Sequence, residues 1–307
     1  MFSRLTLGLG LFFGSLLAGL ALNRLGLLTE GRARRLIHLV VRRLTPVVLA
    51  LSFWTLPIRR HDLFFLPFIG CLVAASTLLP AWLHARAARL TAPQTGSFLT
   101  CACFSNLGFF GAFVAFALYG EQGYGLATLY TVYFNPFFYS IGFALARRYG
   151  GTSRSTPPRD SRPDELRYYP FVGILIGLAL NLLNVPRPEM FGPVNHVLIP
   201  VDTALYVMAT TSQLSLRLPG RWLRVCLAMS AIKFWWSPLV GWGLVTATHL
   251  QGLPRFIVLL QASMPVGVSP LMLSLLFGLD RRLTHALFIF TILLAIPWLL
   301  LYLPLIH

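Results

Sequence analysis

The sequence predicts an all-α polytopic membrane protein with ten transmembrane helices in two inverted five-helix repeats. Three observations predict this fold class: a strongly apolar composition, ten apolar segments of spanning length, and an uneven distribution of arginine between alternate loops. Of the 307 residues, 56% are hydrophobic and 11% are charged, and the mean hydropathy is +0.72. A soluble domain of this length has too little interior for so much apolar side chain, so a membrane protein is indicated.

Ten apolar segments approach the ~20 residues that are needed to cross ~30 Å of hydrocarbon. They are residues 5–22, 38–57, 63–83, 97–118, 124–146, 169–185, 197–216, 222–248, 256–277 and 283–304. The second is interrupted by Arg42 and Arg43. The first has features of a signal peptide, but the repeat described next favours a retained helix.

An internal repeat links the two halves of the chain. The letters GLALN occur at residues 19–23 and again, 158 residues later, at 177–181. The same offset pairs Gly120 with Gly278, and LTPV at 44–47 matches LIPV at 198–201 at an offset of 154. Three matches in one order predict a repeat. Residues 1–147 are assigned to the first five-helix repeat, 148–168 to a cytoplasmic linker and 169–307 to the second repeat.

Arginine placement predicts the orientation of the helices. Because each half has five spans, the second half enters the membrane in the opposite sense. Alternate loops starting after the first segment hold 19 arginines, whereas the opposite side holds five. Short cytoplasmic loops collect arginine, so both termini are expected outside. The membrane itself is expected to be a bacterial inner membrane. The net charge of +16 is attributed to this topology and to anionic lipid, with no nucleic-acid partner.

Helices 4 and 9 are predicted to be broken near mid-membrane and to cross each other. The fourth segment contains Asn106, Gly108 and Gly111 in CACFSNLGFFGAFVAFALYG. The ninth contains Pro265, Gly267 and Pro270 in VLLQASMPVGVSPLMLSLLFG. Proline removes a backbone donor and glycine weakens a helix, so breaks are expected around residues 106–111 and 264–267. Half-helix ends at such a crossing can hold ions or a substrate.

These motifs resemble the auxin efflux carrier family of permeases. The resemblance rests on four stretches: SNLGFFGAFVAFALYGEQG, ATLYTVYFNPFFYSIGFALA, KFWWSPLVG and LLQASMPVGVSPLMLSLLFGLD. The first contains an Asn-x-Gly-Phe-x-Gly motif, and the last contains a Met-Pro pair. Members commonly have Gly-x-Pro at the break of the fourth helix. Here Gly111, Ala112 and Phe113 stand instead, so the kink depends on Gly108 and Gly111.

The resemblance implies a fold similar to bile-acid symporters and sodium/proton antiporters. It implies a scaffold of helices 1, 2, 6 and 7 and a transport core of helices 3–5 and 8–10, with 4 and 9 crossing. It also implies secondary active transport of a small organic anion, such as a carboxylate or an auxin-like acid, by alternating access linked to H⁺ or Na⁺. Alternatives are a channel-like protein or uniporter, or an ion/proton antiporter of the same fold; a homodimer through the scaffold helices is a further open expectation.

Eight residues within the spans are candidates for binding the substrate or a coupling ion. They are Asn106, Gly108, Gly111, Asn135, Lys233, Gln261, Ser263 and Pro265. Lys233 is the only lysine, and a charge in mid-membrane usually faces a partner or cavity, although a lysine can also extend to the interface. Loss of its proton as the anion leaves would give proton coupling. The uncharged members could instead only hold helices together.

Other features favour neither an enzyme nor a metal site. Asp202, near the start of the seventh segment, is interpreted as a carboxylate at a helix start or interface. The cysteines lie in apolar segments without a CxxC pair. Cys101 and Cys103 form a CxC that could bind a soft metal, but no His or further Cys adjoins it and buried side chains are favoured. No cofactor, nucleophile dyad or HExxH motif is recognised. There is no Walker motif, so transport driven directly by ATP would require a separate subunit.

Overall fold

The structure is a computed structural model that describes residues 2–58, 61–150, 164–212 and 222–306. These residues are almost entirely helical, and the only extended pairing among them is one isolated antiparallel bridge. Several arginines used in the topology prediction lie outside the described residues, namely Arg59, Arg60, Arg154, Arg159, Arg162, Arg217 and Arg221. Of the predicted linker, residues 151–163 also lie outside them, and the next helix already begins at Asp164.

The first half of the chain forms helices α1 to α9. They are α1 (Phe2–Arg24), α2 (Glu30–Leu39), α3 (Thr45–Trp54), α4 (Phe65–Ser76), α5 (Leu78–Ala87), α6 (Ala92–Cys103), α7 (Ala112–Tyr130), α8 (Phe134–Phe137) and α9 (Phe143–Tyr149). The second half forms α10 (Asp164–Leu182), α11 (Phe191–Thr211), α12 (Leu223–Ala231), α13 (Ser237–Ala247), α14 (Gly252–Ala262), α15 (Ser269–Phe277) and α16 (Arg281–Ile306).

Several of these helices join into longer apolar rods. Within the described residues, five stretches are long and apolar enough to cross a membrane: Thr6–Arg24, Glu30–Trp54, Phe65–Ala87, Leu223–Ala247 and Arg281–Ile306. The described helices overlap all ten predicted segments. A polytopic helical membrane protein is therefore supported, whereas the inverted orientation of the two halves stays a prediction.

Widened π-helical turns occur where proline would otherwise break a rod. Residues Val40–Leu44 precede Pro46, and residues Ile232–Trp236 precede Pro238. Proline cannot donate a backbone hydrogen bond and its ring clashes with the carbonyl four residues earlier. That carbonyl falls inside the π-helical turn in both cases. The second span therefore continues through Arg42 and Arg43, which the sequence had marked as an interruption.

The chain divides into two compact units. The first comprises residues 1–59, 108–126 and 158–214, and the second comprises residues 60–107, 127–157 and 215–307. The second unit has an aromatic core in which Phe104, Phe137, Phe138 and Phe277 are buried together. The assignment of whole helices to scaffold and transport core stays a prediction.

In the first unit, the repeated GLALN letters mark two close helix contacts. A side chain at Gly19 in α1 would collide with the backbone of Met208 in α11, and one at Gly177 in α10 would collide with the backbone of Ala50 in α3. Asn181 in addition donates hydrogen bonds to Phe53 O, Trp54 O and Leu56 O at the end of α3. Glycine is required at these contacts because two backbones approach without room for a Cβ.

A second pair from the repeat, Gly120 and Gly278, also shares a backbone role. Both have positive φ angles, 60° at Gly120 within α7 and 69° at Gly278 after α15. Residues with side chains rarely adopt this left-handed region. The paired glycines therefore allow the chain to turn at a kink within α7 and at the end of α15.

Candidate functional site

The candidate site is built around two extended stretches of the second unit. They interrupt the fourth and ninth predicted spans, called helices 4 and 9, which here consist of α6 with the first part of α7 and of α14 with α15. Helix α6 ends at Cys103, and Phe104 has extended backbone angles. Asn106 N donates to Pro265 O at 2.8 Å, and Gly267 N donates to Phe104 O at 2.9 Å. Ser105 and Val266 thus form an antiparallel bridge. The break in helix 4 lies at residues 104–106, slightly earlier than the predicted 106–111, most of which forms a π-helical turn.

Local sequence explains why the ninth segment opens here. Pro270 occupies the first turn of α15, where its missing N–H costs nothing. A Cβ at Gly267 would lie 2.8 Å from Ser105 O and 3.0 Å from Ser105 C. Only glycine therefore allows the two stretches to pair this closely. The buried backbone N–H of Val266 donates to Thr291 Oγ1 at 3.1 Å.

Lys233 reaches the break from the π-helical turn between α12 and α13. Its side chain is fully buried. Its Nζ donates to Ala102 O at 2.5 Å and to Ser105 Oγ at 2.8 Å. Ala102 belongs to the last turn of α6, where carbonyl groups without helical partners carry partial negative charge. The ammonium is therefore held by the C-terminal end of a half-helix, with no carboxylate partner among the described residues.

Ser105 adjoins Asn106 but is not among the eight binding residues that the sequence predicts. It is partly exposed, and its hydroxyl oxygen accepts the hydrogen bond from Lys233. Among the described residues, its own hydroxyl proton has no acceptor. A serine polarised by an ammonium, with a proton left to donate, suits an anionic ligand. No local pattern marks this serine, because the lysine that polarises it is 128 residues away.

Gln261 ties the end of α14 to the same region. It is 1% exposed, and its Nε2 donates to Leu107 O at 3.3 Å and to Ala127 O at 3.2 Å. Its Oε1 is buried and has no hydrogen-bond partner within the described residues. Through these bonds Gln261 stabilises the interruption of the fourth span, and its Oε1 remains available as a hydrogen-bond acceptor.

The other predicted residues take varied positions. Asn106 is buried, and Pro265 contributes its carbonyl to the pairing. The hydroxyl of Ser263 bonds to Leu260 O of its own helix at 2.9 Å. Asn135 is half-buried in α8 and shows no side-chain hydrogen bond to the break among the described residues. Gly108 is exposed and Gly111 is buried, both within the π-helical turn that follows the break.

The interpretation of Asp202 as a carboxylate at a helix start is wrong. Helix α11 begins at Phe191, earlier than the predicted segment, so Asp202 lies in the middle of the helix. It is 1% exposed and accepts a hydrogen bond from Thr45 Oγ1 at 2.7 Å. The sequence boundary was misplaced because Asn195 and His196 lower the local hydropathy although Asn195 is buried.

Metal binding has no support in the described part of the chain, where no group of three or more His, Cys, Asp or Glu could hold an ion.

Comparison with known proteins gives two findings. Residues 8–303 match a family model described as membrane transport protein. A protein of Methanothermobacter thermautotrophicus described as an uncharacterized transporter is 27% identical over 283 residues, which is 90% of each chain.

Proposed function

Because the chain belongs to the membrane transport protein family, the auxin efflux carrier type that its motifs resemble, we propose that it is a secondary transporter of small organic anions. The observation that carries the proposal is the position of Lys233, a buried cation at the paired break with no carboxylate partner among the described residues. A site with one uncompensated positive charge favours a ligand with a negative charge.

The anion is proposed to bind on the Ser105 side of the break. Lys233 donates to Ser105 Oγ, and the serine hydroxyl then donates to a carboxylate oxygen. Asn106 and Gln261 add neutral amide groups on the two interrupted helices. Lys233 Nζ donates to Ala102 O without a bound anion, so the lysine nitrogen keeps a hydrogen-bond partner in the empty site whether it is protonated or neutral.

Coupling is proposed to use protons. In a low-dielectric site the charged form of Lys233 is less stable once the anion has left. A proton is therefore proposed to leave with the anion when the site empties. Alternating access of the site between the two sides of the membrane would then move anion and proton together. This is the simplest coupling that Lys233 permits, since it requires no metal ion.

Uptake by proteoliposomes tests the function. The purified protein should accumulate at least one small mono- or dicarboxylate with saturable kinetics, and an inward proton gradient should increase the rate. The substrates are offered as a panel of radiolabelled acids, with protein-free liposomes as the control. Ion conductance far above carrier rates, or cation exchange without carboxylate uptake, would replace the proposal with a channel or an antiporter.

The serine makes a more specific prediction. Ser105→Ala removes one hydrogen bond to a charged ligand, which corresponds to about 1.5 kcal/mol, so the Km for the anion should rise by about tenfold. Ser274→Ala is the matched control, because within the described part of the chain that buried serine bonds only to Leu271 O of its own helix. Equal Km values for wild type and Ser105→Ala would remove Ser105 from the site.

A further inference from the structure

A polar strip lies between α3 and α11 in the first unit. Asn195 Nδ2 donates to Ser52 Oγ at 2.9 Å, and Thr45 Oγ1 donates to Asp202 Oδ1 at 2.7 Å. In each helix the two partners are seven residues apart, which places them on one face. All four side chains are at most 7% exposed.

The Asp202 carboxyl is only half satisfied within this strip. Oδ1 has the Thr45 hydroxyl, whereas Oδ2 is buried and has no hydrogen-bond partner among the described residues. No salt bridge to Asp202 is formed there either. An ionised carboxylate in an apolar interior is costly unless it is paired and fully hydrogen-bonded.

The groups that face this strip do not supply a compensating charge. Helix α11 packs against α1, α2, α3 and the turn at Val40–Leu44, and the described cationic side chains of these elements are exposed: Arg24, Arg32, Arg34, Arg35, His38, Arg42 and Arg43. His196 of α11 itself is also exposed. Tyr124 and Tyr206 are titratable neighbours of the carboxyl, and a phenol cannot supply a positive charge. Glu121 at the far end of the strip is paired with Arg187.

We propose that Asp202 is a proton-binding site in the first unit and that its carboxyl is neutral in this conformation. The proton resides on Oδ2, which removes the uncompensated charge. Oδ1 is then the carbonyl oxygen of a carboxylic acid, and the Thr45 hydroxyl donates to it. Lys233 belongs to the second unit, and the proposal does not depend on which substrate the protein carries.

Infrared spectroscopy of the purified protein in lipid nanodiscs tests this assignment directly. The wild type at neutral pH should show the carbonyl stretch of a protonated carboxylic acid, above the amide I band, and this band should shift in D₂O. Asp202→Asn should abolish it with little loss of thermal stability, because the amide has the shape of the neutral acid. Thr45→Val should instead move the band to higher frequency, since its carbonyl loses a hydrogen-bond donor.

The matched control is Glu121→Gln, which replaces a carboxylate that has a cationic partner and should leave the band unchanged. Persistence of the full band in Asp202→Asn, or its absence from the wild type, would overturn the proposal. If the wild type lacks the band and sodium raises the melting temperature of the wild type but not of Asp202→Asn, the site binds a metal cation and the proton assignment is wrong. Because none of these readouts requires transport, they remain decisive even if no carboxylate is carried.

Discussion

Lys233→Gln should lower the affinity for the transported anion by about 30- to 150-fold, while expression and melting temperature stay close to wild type. The substitution removes the only cation at the paired break among the described residues, which polarises the Ser105 hydroxyl and attracts the anion. Loss of a charged group of this kind corresponds to about 2–3 kcal/mol. Stability should change little, because the lost hydrogen bonds to Ala102 and Ser105 are offset by no longer burying an ammonium.

Ligand-induced thermal shift with the transported carboxylate measures this effect, and uptake by the same preparations measures transport. A purely structural lysine would give the opposite result: the melting temperature would fall first, and affinity would be retained in the protein that still folds. Wild-type binding and uptake by Lys233→Gln would disprove the assignment of Lys233 as the positive charge of the site.

Glu121→Ala should be among the most destabilising changes in the first unit, costing about 3 kcal/mol. Glu121 forms a bidentate ion pair with Arg187, and the side chains of Glu121 and Arg187 are 11% and 14% exposed. Glu121 Oε1 also accepts a hydrogen bond from Asn195 Nδ2. Removing the carboxylate leaves a largely buried guanidinium with only Leu51 O as a partner among the described residues. An unpaired charge of this kind costs more than the original pair contributed.

Unfolding by sodium dodecyl sulfate in mixed micelles measures the loss. The double variant Glu121→Ala with Arg187→Ala should be more stable than Glu121→Ala alone, because the unpaired cation is gone. Glu30→Ala is the control, since its pair with Arg34 is exposed and screened by solvent, and its unfolding midpoint should match wild type. If Glu121→Ala and Glu30→Ala behave alike, the buried pair does not stabilise the first unit.

The helical architecture and the location of the breaks could be predicted because their causes are local. Proline and glycine act on the backbone within one or two turns, so Pro265, Gly267 and Pro270 favour an interruption of the ninth segment wherever it packs. The break in helix 4 was displaced by a few residues, since no proline fixes it. Its position is set by pairing with the ninth segment, through Asn106 N and Gly267 N.

The sequence by itself determined that this protein is an apolar, helical chain of the transporter type with an isolated lysine in the eighth segment. Only the tertiary structure decided what the polar side chains contact. Lys233 meets Ala102 from 131 residues away, Asp202 meets Thr45 from 157, and Arg187 meets Glu121 from 66. Local periodicity carries no information on such partners. Whether a charge is paired or buried depends on how distant helices pack, and in an apolar interior that packing decides its energy.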